Sequence, residues 1–141
     1  MILLPEDLYK ILFAIVAGGL IGIEREYREK AAGFRTIILI CVGATLFTIF
    51  SSKMNGDPAR IAANIVSGVG FLGAGVILRS GGQVIGLTTA STIWLTAALG
   101  MGIGAGEYIL IAIVVPIMLM ILWVFPKFER WIDALRSERS R

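Results

Sequence analysis

The sequence predicts an all-α fold, a polytopic transmembrane bundle of about five membrane-spanning helices with a C-terminal amphipathic interfacial helix. Three observations predict it. The 141 residues are 57% hydrophobic and 16% charged, with a mean hydropathy of +0.85, more apolar surface than a soluble domain of this size can bury. The apolar residues fall into runs near the roughly 20 residues that cross a hydrocarbon core. The basic residues collect mainly in one short loop and the C-terminal tail, which is how membrane proteins set their orientation.

The first run, Leu8 to Ile23, is short, and Lys10 near its start must snorkel. Glu6 and Asp7 precede it where a secretory leader carries basic residues, so this span is expected to be retained. Thr36 to Ser52 and Ile61 to Leu78 supply the second and third spans. Between Val84 and Phe125 only Glu107 interrupts the apolar pattern. A continuous helix of that length would be about 60 Å, twice the roughly 30 Å core. A turn at Gly104-Ala105-Gly106-Glu107 therefore separates a fourth span, Val84 to Gly106, from a fifth, Tyr108 to Phe125. After Pro126, the residues Phe128, Trp131, Ile132 and Leu135 recur with helical spacing, the pattern of a helix lying on the membrane surface. The expected division is a membrane domain over residues 1–126 and a cytoplasmic amphipathic tail over 127–141.

Five passes place Arg25, Arg28, Lys30, Arg35, Arg79, Lys127, Arg130, Arg136, Arg139 and Arg141 on one side, against Lys10, Lys53 and Arg60 on the other. The positive-inside rule then sets the N-terminus outside and the C-terminus in the cytoplasm. The same split argues against a nucleic-acid partner despite the net charge of +3. With no His, and Cys41 alone inside an apolar run, the chain lacks disulfides, Cys/His zinc sites and imidazole acid–base chemistry. No nucleophile with a positioned base can be assembled, so enzymatic activity is not expected. The string Gly68-Val69-Gly70-Phe71-Leu72-Gly73 matches GxGxxG, but inside a membrane span it lacks the strand–helix context of a nucleotide site.

Gly18 with Gly22, Gly100 with Gly104, and Gly102 with Gly106 form GxxxG pairs, while Gly68, Gly70, Gly73 and Gly75 crowd the third span. Such residues let helices approach closely, within the chain or in a homo-oligomer such as a dimer. On the third span, Arg60, Asn64, Ser67, Gly68, Phe71, Gly75 and Arg79 share a face of about 120°. On the fourth, Thr88, Thr92 and Thr96 recur every four residues. These faces either line an ion or polar pathway with Asp57 at its mouth or form buried helix contacts. Glu24, Arg25 and Arg35 are interfacial charges that serve function or anchor the fold, through pairs such as Glu24 with Arg35 or Asp57 with Arg60.

Three stretches together resemble the MgtC/SapB family of bacterial membrane proteins. They are Gly22-Ile23-Glu24-Arg25-Glu26 with Ala32-Gly33-Phe34-Arg35-Thr36; Asp57 with the run from Arg60 to Ile77; and Gly86-Leu87-Thr88-Thr89-Ala90-Ser91-Thr92-Ile93-Trp94. The resemblance implies an inner-membrane location, a helical membrane domain, and a link to magnesium homeostasis and growth in low magnesium or inside host cells. Members have been described as Mg²⁺ transporters and as regulators of other membrane machines, including the ATP synthase and cation-transporting ATPases. Many add a soluble ACT-like C-terminal domain; this chain ends at Arg141 without one, so a role housed there is not expected of these residues. Ser80, Thr88 and Leu95 depart from the virulence-type pattern, which argues against a host-survival role.

Mg²⁺ is usually held through one or two carboxylates with several waters retained. Glu24, Asp57 and Glu107 all lie near membrane ends, so a path would rest on Asn64, Ser67 and threonine hydroxyls. The expected function is magnesium-linked, of the transporter class, with Mg²⁺ as substrate rather than cofactor and lipid as the surrounding partner. The alternative is a regulator docking on another membrane protein. Transport of an anionic or lipid-like solute through Arg35, Arg60 and Arg79 ranks below both.

Overall fold

The computed structural model describes residues 5–54, 57–80 and 82–139. Their order is α1 (Pro5–Tyr27), α2 (Phe34–Lys53), α3 (Pro58–Gly75), β1 (Leu78–Ser80), β2 (Gln83–Ile85), α4 (Leu87–Ala105) and α5 (Tyr108–Arg139). By length and composition, α2, α4 and Tyr108–Ile132 of α5 can each cross a membrane. The helix α1 carries charges at both ends, and α3 is diluted by Arg60, Asn64 and glycines, so both are less apolar than those three.

The centre of the bundle is α2, enclosed between α1 and α4 and touched more lightly by α3. Glycine makes both close crossings possible. A Cβ on Gly18 would lie 3.1 Å from Cys41 Cβ, and one on Gly22 2.9 Å from the Phe34 backbone, so α1 rests directly on α2. On the other side a Cβ on Gly100 would lie 2.8 Å from Ala44 Cβ, and one on Gly104 2.6 Å from Thr48 Cβ. Backbones at this distance gain dispersion contacts and exchange hydrogen bonds, which substitute in lipid for the missing hydrophobic drive. Thr45 Oγ1, fully buried, lies 2.9 Å from both Cys41 O and Gly100 O and can donate to either, linking α2 to α4. Ala14, Ala17, Ile21, Ile37, Cys41, Ile93, Leu99 and Ile103 fill the space around these crossings.

The expected turn between the last two spans is present: Gly106 caps α4 at φ 89°, a left-handed conformation that suits glycine. Asp57 starts α3 as its N-cap, accepting from the Ala59 amide at 3.0 Å, with Pro58 as the first helical residue.

Two expectations are corrected. The third and fourth spans do not run to Leu78 and from Val84: α3 ends at Gly75, α4 begins at Leu87, and the residues between form an antiparallel hairpin pairing Leu78 with Ile85, Arg79 with Val84 and Ser80 with Gln83. Val84 and Ile85 are β-branched, and Gly82 adopts φ 83° in the turn, so periodicity alone took a short apolar hairpin for helix ends. The amphipathic segment after Pro126 is helical, but it continues α5 unbroken rather than forming a separate element. Proline removes one backbone donor, but Ile121 and Leu122 before it and Lys127 and Arg130 after it continue the helical run, so one lost bond does not end it.

The close crossing yields a contrast. Gly100→Ala should lower the thermal midpoint in detergent or prevent folding, because the added methyl meets α2 backbone. Gly68→Ala, which meets nothing within 4 Å, should leave the midpoint unchanged or raise it, worth up to about 1 kcal/mol of helix propensity. Equal effects would contradict the packing described.

Candidate functional site

The residues expected to line a pathway are dispersed. Asn64 and Gly68 border an apolar groove of about 720 Å³ between α2 and α3, floored by Ile93 of α4. Ser67 is exposed and lies outside that lining, and Phe71 is 82% exposed. Arg60 and Arg79 stand exposed near opposite ends of α3, Arg79 on the hairpin. Asp57 is occupied as a cap, and it forms no salt bridge with Arg60. On α4, Thr88 is exposed, whereas Thr92 and Thr96 are buried and donate to Thr88 O and Thr92 O, each at 2.8 Å. Their hydroxyls satisfy their own helix, as threonine does in apolar surroundings.

Of the glycines expected to pack the third span, Gly73 touches Ala90 of α4. Gly68, Gly70 and Gly75 meet nothing within 4 Å, so among the described residues they pack against no other helix. Only Ile65 and Gly73 of α3 are buried.

The charges at the end of α1 are brought together in a way the sequence does not spell out. Glu24 (3% exposed) and Arg25 (2%) are buried neighbours, with Arg25 Nε 2.5 Å from Glu24 Oε2. Arg28 Nε lies 2.7 Å from Glu24 Oε1 without the alignment of a hydrogen bond. Arg35, the partner expected for Glu24, is exposed and makes no ion pair among the described residues; the acid recruits Arg25 and Arg28 at the end of α1 instead. Glu26 accepts from the Phe34 amide at 2.9 Å and so holds the start of α2. Arg28 also lies over the Trp123 ring, 5.3 Å from its centroid, while Tyr27 stacks on that ring at 6.1 Å. This ties α1 to α5 at the level where aromatic residues mark the membrane surface. Tyr27, Arg28 and Trp123 were not singled out from sequence; the aromatic pair flanking the ends of two apolar runs was the available signal. At the opposite end Asp7 pairs with Lys53, joining α1 to α2, and Lys10 pairs with Glu6 at 2.9 Å.

Among the described residues, no group of three or more Asp, Glu or Cys side chains converges to hold a metal ion. The arrangement offers a charged, buried end cluster, an apolar groove, and an α3 face with small residues turned outward.

An apolar helical bundle with three helices able to span lipid, its charges confined to the ends, defines a polytopic membrane protein. The chain belongs to the MgtC family, whose model matches residues 11–131. Protein MgtC of Brucella abortus is 55% identical over 95 residues, covering 66% of this chain and 40% of the relative. Protein MgtC of Salmonella typhimurium is 48% identical over 109 residues, 77% of this chain and 47% of the relative. The Escherichia coli K12 protein named "Putative magnesium transporter YhiD" is 47% identical over 113 residues, 73% of this chain and 53% of its own. The chain thus spans roughly half the length of these relatives. No solved structure matches.

The buried end cluster makes a prediction. Glu24→Gln leaves two guanidinium groups without their counter-charge, one of them fully enclosed, and should cost about 3–5 kcal/mol. Arg35→Gln should change little. Thermal unfolding of both variants in detergent checks this, with equal midpoints as the contrary result.

Proposed function

We propose that this is a magnesium-linked protein of the bacterial inner membrane that acts as a regulator, docking through α3 onto a helix of another membrane protein. The observation that carries the reading is an open glycine pair: Gly68 and Gly75, two turns apart on one face of α3, leave room for a close helix approach that no described residue of the chain uses. The magnesium link is supported by the name of the E. coli relative. A transport path fits the geometry less well. Thr92 and Thr96 bond their own backbone, Asp57 caps α3, Glu24 is held by two arginines, and the groove is walled by apolar side chains apart from Thr36 and Asn64. A strongly hydrated ion finds no carboxylate free to receive it there.

Two measurements test the reading. Liposomes holding the purified chain should pass Mg²⁺ no faster than empty ones; a flux abolished by Asp57→Asn would restore the transporter. In cells that depend on the protein for growth in low magnesium, Gly68→Leu with Gly75→Leu should abolish growth while the variant accumulates normally, because both side chains project into open space. Unimpaired growth would overturn docking through α3.

Five alternating passes, an outside N-terminus and a cytoplasmic tail complete the proposal, supported by the Arg28 contact that brings the basic loop beside α5. Reporters fused after Ser52 and after Arg141 should lie on opposite sides; signals on one side would reject this topology.

A further inference from the structure

The end of the bundle that carries Glu24 also holds a cavity of about 750 Å³, formed where α1 ends, the hairpin turns back, α4 begins and α5 passes. Its charged lining is Arg25, Arg28, Lys30 and Glu29. With Glu24 beneath them, three cations face two carboxylates, so the wall is net positive. Across the cavity lies the amino end of α4. Its N-cap is Gly86, which supplies no side-chain bond, and its first turn has no acid. The Ala90 amide is the first there to meet a carbonyl, that of Gly86, so the preceding amides carry the partial positive charge of the helix end uncompensated by a side chain.

A second observation, independent of the helix end, comes from Thr89. It is only 4% exposed, it lines this cavity, and its hydroxyl makes no hydrogen bond among the described residues. The other buried threonines, Thr45, Thr92 and Thr96, all bond a backbone carbonyl. The sealed side-chain oxygens without a partner are Glu24 Oε1 and Ser51 Oγ among the described residues, so the Thr89 hydroxyl is open to the cavity and its bonding capacity is available to a guest there.

We propose that this cavity binds a phosphate-bearing anion, its oxygens received by the Thr89 hydroxyl and the first amides of α4, with Arg28 and Lys30 completing the charge. Helix amino ends and guanidinium groups are suited to this ligand chemistry. Leu78, Ile85 and Phe125 make the remaining wall apolar, which accommodates the chain of an anionic phospholipid whose headgroup occupies the charged part. Free inorganic phosphate shares the headgroup chemistry and needs none of that apolar wall. The site uses neither the groove nor the outward face of α3, so it stands apart from the regulatory reading.

The test uses the full chain, purified and reconstituted in phosphatidylcholine nanodiscs, with phosphatidylglycerol or inorganic phosphate as probe. Native mass spectrometry after delipidation should show phosphatidylglycerol retained at least tenfold over phosphatidylcholine. Thr89→Val and Arg28→Gln should each remove that preference, and Thr89→Ser, which keeps the hydroxyl, should preserve it. If instead inorganic phosphate raises the thermal midpoint of the wild type and not of Thr89→Val, while phosphatidylglycerol gains no preference, the anion site stands with a soluble ligand as its source. Should either variant be unstable in phosphatidylcholine alone, Lys30→Gln at an exposed position carries the comparison. Wild type and variants indistinguishable with both probes would overturn the proposal.

Discussion

Everything else in this bundle depends on how closely two helices can approach α2. Lipid offers helices no hydrophobic reason to associate, so their contact must come from packing and hydrogen bonding at short range. Gly18 and Gly22 on one flank and Gly100 and Gly104 on the other remove the side chains that would hold the backbones apart. The proton of Thr45, within reach of carbonyls on both its own helix and α4, becomes useful only because of that proximity. Once α1, α2 and α4 are fixed, the end of α1 is fixed with them, and its charges must be accommodated where they fall.

That placement accounts for the clustering of charge at one end. Glu24 and Arg25 emerge from the crossing too deep to reach water and so neutralise each other, with Arg28 adding a second cation and reaching Trp123 of α5. The same end receives the hairpin and the start of α4, so a cationic wall and a helix amino terminus come to face one space. The groove beside α3 has the opposite character: it is apolar, broad, and bordered by a helix that buries little of itself.

The helices, the turn at Gly106 and the GxxxG pairs that pack α2 were legible because each depends on local pattern: run length, glycine placement and spacing. The hairpin was not, since three-residue strands carry too few residues for alternation to show against neighbouring helical periodicity. The fate of the polar residues was also hidden. Whether Thr92 lines a path or bonds its own backbone depends on which face α4 turns toward α2, and the four-residue spacing is the same in both cases. Glu24 presented a similar ambiguity: Arg25, Arg28 and Arg35 are all within reach in sequence, and the crossing angle chooses among them. For Gly68, Gly70 and Gly75 the sequence signalled close packing, and the absence of a partner among the described residues emerged only from the arrangement of α3.

The hairpin between α3 and α4 bears on how the protein enters the membrane during synthesis. Arg60, Asn64 and repeated glycines give α3 a weak drive to partition from the translocation channel into lipid unaided. The three-residue strands hold its carboxyl end against the amino end of α4, which is more apolar and long enough to cross. The two helices can therefore leave the channel as a joined pair, the stronger segment drawing the weaker one after it. The hairpin would then serve biogenesis as well as architecture, since it keeps α3 from being released alone before its neighbour has been made.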